Sequence, residues 1–101
     1  MKSDIQFGDR YAIFTIGRMH VDASETCRNA LEESPDTAEH LLRGLLLAMH
    51  PELDGCVIYW MGFNHMTGQF EIGVAHESLE RTAPGCEGKR VPLFETTESY
   101  Q

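Results

Sequence analysis

Five histidines, three cysteines and a cluster of carboxylates are the residues here whose types could do chemistry, and their spacing limits what that chemistry could be. His20, His40, His50, His65 and His76 show no HxxxH or HExxH spacing, and Cys27, Cys56 and Cys86 form no CxxC pair. A closed metal site normally contains at least one such tight ligand pair. Only a long-range set such as His20, Cys27 and His40 remains, so no metal and no cofactor is expected. Cys86 is the candidate reactive thiol. The stretch PGCEGKR sets it between glycines with Lys89 and Arg90 nearby, and cationic neighbours stabilise a thiolate. Nucleophilic catalysis also needs an oriented base, and no histidine lies close in sequence to supply one. Glu32, Glu33, Asp36 and Glu39 gather where two helices are expected to meet. Paired carboxylates can do acid–base work, but at a polar helix start they read first as a solvated cap and next as a patch for a basic partner. No GxxxxGK[ST] phosphate loop is present.

The whole-chain properties narrow the class further. A chain of 101 residues with a 42% hydrophobic content is expected to form one domain spanning 1–101. No apolar run approaches the roughly 20 residues of a membrane span. The opening MKSDIQFGDRY has no hydrophobic leader core, and three sparse cysteines fit a reducing compartment, so a cytoplasmic protein is expected. Sixteen acidic against eight basic residues leave a net charge of −8. Direct nucleic-acid binding, which needs clustered Lys and Arg, is not expected. A partner with a basic surface is.

The elements that must position these groups follow from periodicity. Residues 10–21 (RYAIFTIGRMHV) are rich in β-branched and aromatic types and predict a strand, interrupted or ended by Gly17. Asp22, with Glu25 three residues on, predicts a capping box opening a short helix, whose apolar face is Ala23, Cys27, Ala30 and Leu31. A second helix follows, with Ser34 as N-cap and Pro35 in its first position. It buries Ala38, Leu41, Leu42, Leu45, Leu46 and Met49, leaves Leu47 off the stripe, and ends before Pro51. Gly44 costs roughly 1 kcal/mol in that helix relative to Ala and either admits a neighbouring backbone or is merely tolerated. Two strands (57–63 and 69–75) form a hairpin. A loop with Cys86, an edge strand RVPLFE containing Pro92, and a frayed tail TTESYQ complete the chain. Cys27 and Cys56 are expected to be buried.

The hairpin poses the central question. Its return strand alternates cleanly, with Phe70, Ile72 and Val74 on one side and Gln69, Glu71, Gly73 and Ala75 on the other. Its first strand is apolar on both sides. With a loop of Met66, Thr67 and Gly68, Ile58 and Trp60 join the core while Tyr59, Met61 and Phe63 stand outside beside Glu71. With one more loop residue the set inverts, and Ile58 and Trp60 face outward near Gly73. Either way large apolar groups remain on the face lined by Glu71. Such a face must be covered by the chain's own ends, by a second copy or by a foreign partner.

These observations predict an α+β fold of two layers. A roughly four-stranded, mainly antiparallel sheet carries two helices on one face, in the order β-α-α-β-β-β. The favoured function is a small, acidic, non-enzymatic protein-binding module, an inhibitor or adaptor. Tyr59, Trp60, Met61, Phe63 and Glu71, with the acidic cluster Glu32, Glu33, Asp36 and Glu39, are its candidate binding residues. At the level of class alone it resembles the small acidic phage inhibitors of bacterial defence or nucleic-acid enzymes. The alternative is a homodimeric enzyme or ligand-binding protein with a pocket between sheet and helices lined by Trp60, Tyr59, His65 or His20.

Overall fold

The computed structural model describes residues 10–81 and 89–94. The order is β1 (Tyr11–Ile16), α1 (Val21–Glu33), α2 (Pro35–Met49), a 3-10 turn (Pro51–Leu53), β2 (Val57–Asn64), β3 (Gln69–Ala75) and β4 (Lys89–Pro92). The strands form one sheet in the order β2-β3-β1-β4, with both helices on one face. That is the expected α+β class and element order.

The sheet is mixed where a mainly antiparallel one was expected, although most of its pairings are antiparallel. β3 runs antiparallel to both β1 and β2, whereas β4 runs parallel to β1. β4 follows β3 in sequence but lies beyond β1, and because it runs opposite to β3 it is parallel to the β1 strand between them. Pro92 sits, as expected, on an edge strand, where its missing N–H costs no ladder bond. The ladder is extended by Leu93 N–H, which donates to Thr15 O at 2.7 Å.

β1 ends where Gly17 was expected to end it, and His20 N–H closes the turn onto Gly17 O at 3.0 Å. The capping box foreseen at Asp22 and Glu25 does not form. α1 begins two residues earlier, with His20 at the N-cap and no side-chain cap bond, so Asp22 lies within the first turn. Ser24 N–H donates to His20 O at 3.0 Å, so the helical pairing starts from His20.

α2 behaves as read. Ser34 is extended, accepts from Thr37 N–H at 3.0 Å, and hands the chain to Pro35 in the first turn. Ser34 also ends α1, donating its N–H to Ala30 O. One serine thus stops one helix and starts the next. The space around Gly44 is open, so that glycine admits no close neighbour.

The core lies between the helices and one sheet face. Ala12, Phe14 and Ile16 of β1 and Phe70, Ile72 and Val74 of β3 meet Cys27, Leu42, Leu46 and Leu53. Cys27 and Cys56 are both buried. Leu47, off the predicted stripe, packs against the core edge.

Candidate functional site

The face of the sheet turned away from the helices is where the sequence left its question, and a β-bulge answers it. Asn64 pairs with Gln69, so the loop holds the four residues 65–68, with Gly68 at φ +72°. From there Phe63 pairs with Phe70, Met61 with Ile72 and Trp60 with Gly73. The register then shifts, and Ile58 pairs with Val74. Tyr59 is the extra residue. A bulge of this kind lets two consecutive side chains leave a strand on the same side.

The consequence is a division neither simple register predicts. Ile58, Met61 and Phe63 all pack toward the helices, while Tyr59 and Trp60 both stand on the outer face. Met61 and Phe63 are therefore corrected from outer-face candidates to residues on the helix-covered side. The strand reads as apolar on both sides because it changes phase halfway.

On the outer face Trp60 lies across Gly73 of β3. A methyl group on that glycine would come within 2.7 Å of the indole Cδ1 and 2.9 Å of Cε2. The indole N–H donates to the Tyr11 hydroxyl at 2.8 Å, and the Tyr11 and Tyr59 rings stand 5.6 Å apart at 49°. Ile13, the β1 partner of Gly73, has no exposed surface even though it points away from the core. The sheet thus carries part of its own cover. Tyr59 remains 55% exposed, Trp60 39% and Val57 39%, which leaves an aromatic patch open to solvent.

Glu71 lies on the same face but is only 5% exposed, so it is not a rim residue. Asn64 Nδ2 donates to its Oε2 at 3.2 Å, and Arg90 of β4 approaches that oxygen at 3.4 Å, spanning β1. A carboxylate taken out of water needs such partners.

The acidic cluster is on the other layer. Glu32, Glu33 and Asp36 are exposed at the junction of α1 and α2. Glu39 is held by Arg43 at 2.8 Å, and Arg43 also donates to Cys56 O at 2.7 Å. The fold does not bring the acidic cluster and the aromatic face together. Nor does a pocket between sheet and helices include Trp60 or Tyr59, since both face away from the helices. His65 stands on the exposed hairpin loop against Phe63, with ring centroids 5.0 Å apart, and His20 packs on Phe94 at 4.9 Å. Cys86 lies outside the described residues.

Among the described residues no three His, Cys, Asp or Glu come together as a metal would require. No helix there is long and apolar enough to cross a membrane. His76 is buried and cross-links two segments. Ser78 N–H donates to its Nδ1 at 2.9 Å, which leaves the proton on Nε2, 2.8 Å from Asp54 O. The thiol of Cys27 is pushed by burial from 9.0 up to about 11. That of Cys56 is also raised by burial, with Arg43 opposing in part. Raised thiols are poor nucleophiles at neutral pH.

Three contributors escaped the sequence reading: Tyr11 as the Trp60 acceptor, and Asn64 and Arg90 as the Glu71 partners. The signal for the first was Gly73, a strand glycine of the sort that marks close approach of another group. The other two depend on pairing across strands and left no local signal. No protein-family model matches the chain, and neither a curated protein nor a solved structure does.

Proposed function

We propose that this chain is a small, acidic, non-enzymatic protein-binding module, an inhibitor or adaptor whose partner presents an apolar patch ringed by basic residues. The observation that carries the reading is the solvent-facing aromatic patch, in which Trp60 is oriented by its bond to Tyr11 and Tyr59 is raised beside it by the bulge. Tyr and Trp are the types that dominate interface energetics, and side chains already held in place lose little freedom on binding. The net charge of −8 supplies the complement to a basic rim and would speed encounter.

Tyr59→Ala is the clean test, because Tyr59 is the bulged residue and more than half exposed. Trp60→Ala is not, since it would also uncover Gly73 and leave the Tyr11 hydroxyl without its donor. A partner captured by the wild-type protein should bind Tyr59→Ala more weakly by roughly 1–3 kcal/mol, with the thermal midpoint unchanged. Its association rate should fall as salt rises. A partner that binds Tyr59→Ala as well as the wild type, or a Tyr59→Ala protein that no longer folds, would overturn the reading.

A further inference from the structure

A cleft of about 230 Å³ opens at the other end of the hairpin, between the turn after β1, the first two turns of α1 and the tip of β2 and β3. It is lined by Arg18, Ser24, Glu25, Arg28, Phe63 and Gly68, among others. Two of the eight basic residues of a strongly acidic chain face this one cavity.

Each guanidinium is oriented by a contact that leaves its donors usable. Arg18 packs along Gly68 and spends its Nε–H on Thr67 O at 3.1 Å, so its terminal N–H groups have no acceptor among the described residues. Arg28 lies over the Phe63 ring at 4.3 Å. Stacking uses the flat face of a guanidinium and leaves its in-plane N–H edge for a planar acceptor. Between them Ser24 is 7% exposed as a residue and lines the cleft, with its hydroxyl still open to solvent there. A hydroxyl on a cleft lining can exchange water for a ligand oxygen as its hydrogen-bond partner. Among the described lining residues Glu25 is the one carboxylate, against two arginines. The local balance is therefore positive in a molecule that is otherwise negative.

We infer that this cleft is a binding site for a small oxyanion, a carboxylate or a phosphate, gripped by Arg18 and Arg28 with the Ser24 hydroxyl donating. Paired guanidinium forks match the flat oxygen pair of either group. Phe63 and Val21 give an apolar wall to whatever body the anion carries. The site does not depend on the aromatic face, which lies on the opposite side of the sheet.

The experiment is a titration of the ¹⁵N-labelled protein, in a low-chloride buffer at constant ionic strength, with inorganic phosphate and separately with benzoate. Saturable shifts of the Gly17, Arg18, Ser24 and Gly68 amides with either probe are expected, and the tighter probe identifies the anion class. Arg28→Gln should weaken that binding roughly tenfold. Ser24→Ala should weaken it several-fold, with the thermal midpoint kept as the check on folding. Lys89→Gln removes the same charge away from the cleft and should leave binding unchanged. No saturation with either probe, shifts reproduced by sodium chloride alone, or equal losses in Lys89→Gln and Arg28→Gln would each overturn the assignment.

Discussion

Gly73 is the residue on which the outer face turns. Without a side chain it lets the Trp60 indole lie against the sheet and reach the Tyr11 hydroxyl. Gly73→Ala should lift the indole, lower stability by roughly 1–3 kcal/mol, and red-shift the fluorescence of the single tryptophan. An unchanged emission maximum would mean that the indole does not rest there. The buried Cys27 thiol makes a second prediction at this scale. Its folded pKa of about 11 exceeds the ordinary 9.0, so below pH 9 both states hold the proton and nothing is lost. Between those values the unfolded chain releases its proton while the folded chain keeps it. Stability should therefore fall by up to about 1.4 kcal/mol per pH unit as pH rises through that window. Denaturation midpoints of the wild type and Cys27→Ala, compared across the window, check this: the difference between the two should shrink as pH rises.

Among the elements, the junction of α1 and α2 offers the clearest contrast of local energetics. Ser34→Ala removes the acceptor for Thr37 N–H and should cost about 1 kcal/mol. Gly44→Ala, in an exposed helix interior with open space around it, should add about 0.5–1 kcal/mol. Urea midpoints of the two variants should move in opposite directions, and a Gly44→Ala loss would show that the glycine is needed for a contact. The bulge in β2 matters for another reason. It sets Tyr59 beside Trp60 instead of opposite it, and at an edge strand it also twists the free backbone away from chance pairing.

At the scale of the whole molecule, charge is the dominant fact. With 16 acidic and eight basic residues, the folded chain concentrates like charge, and the ion pairs among the described residues, such as Lys89–Glu80, are mostly exposed. Exposed pairs contribute little, so net repulsion outweighs them. Raising ionic strength from about 0.01 M to about 0.15 M shortens the screening length from ~30 Å to ~8 Å. The thermal midpoint should therefore rise by a few degrees, about 1 kcal/mol corresponding to roughly 4–8 °C in a chain of this size. A midpoint that falls with salt would mean that local pairs, not overall repulsion, govern the electrostatics. The same screening should weaken a basic partner's approach to the aromatic face while folding is strengthened.

What the sequence determined by itself is what depends on neighbours along the chain. The α2 boundaries at Ser34 and Met49, the end of β1 at Gly17, the buried cysteines and the α+β order all follow from local periodicity, caps and breakers. The α1 start is the local exception, since the helix is capped at His20, next to the Gly17 turn, and not at Asp22. Tertiary structure alone decided the rest. The phase of β2 depends on one bulged residue whose position is set by pairing with β3, and a one-residue slip exchanges the faces of a strand. The parallel placement of β4 is a choice of edge: it pairs with β1, and Leu93 just beyond it is buried in the core. The Arg18, Ser24 and Arg28 cleft joins a turn, a helix and a hairpin tip that lie far apart in sequence. No local pattern encodes such a meeting, since it exists only once helix and sheet have docked.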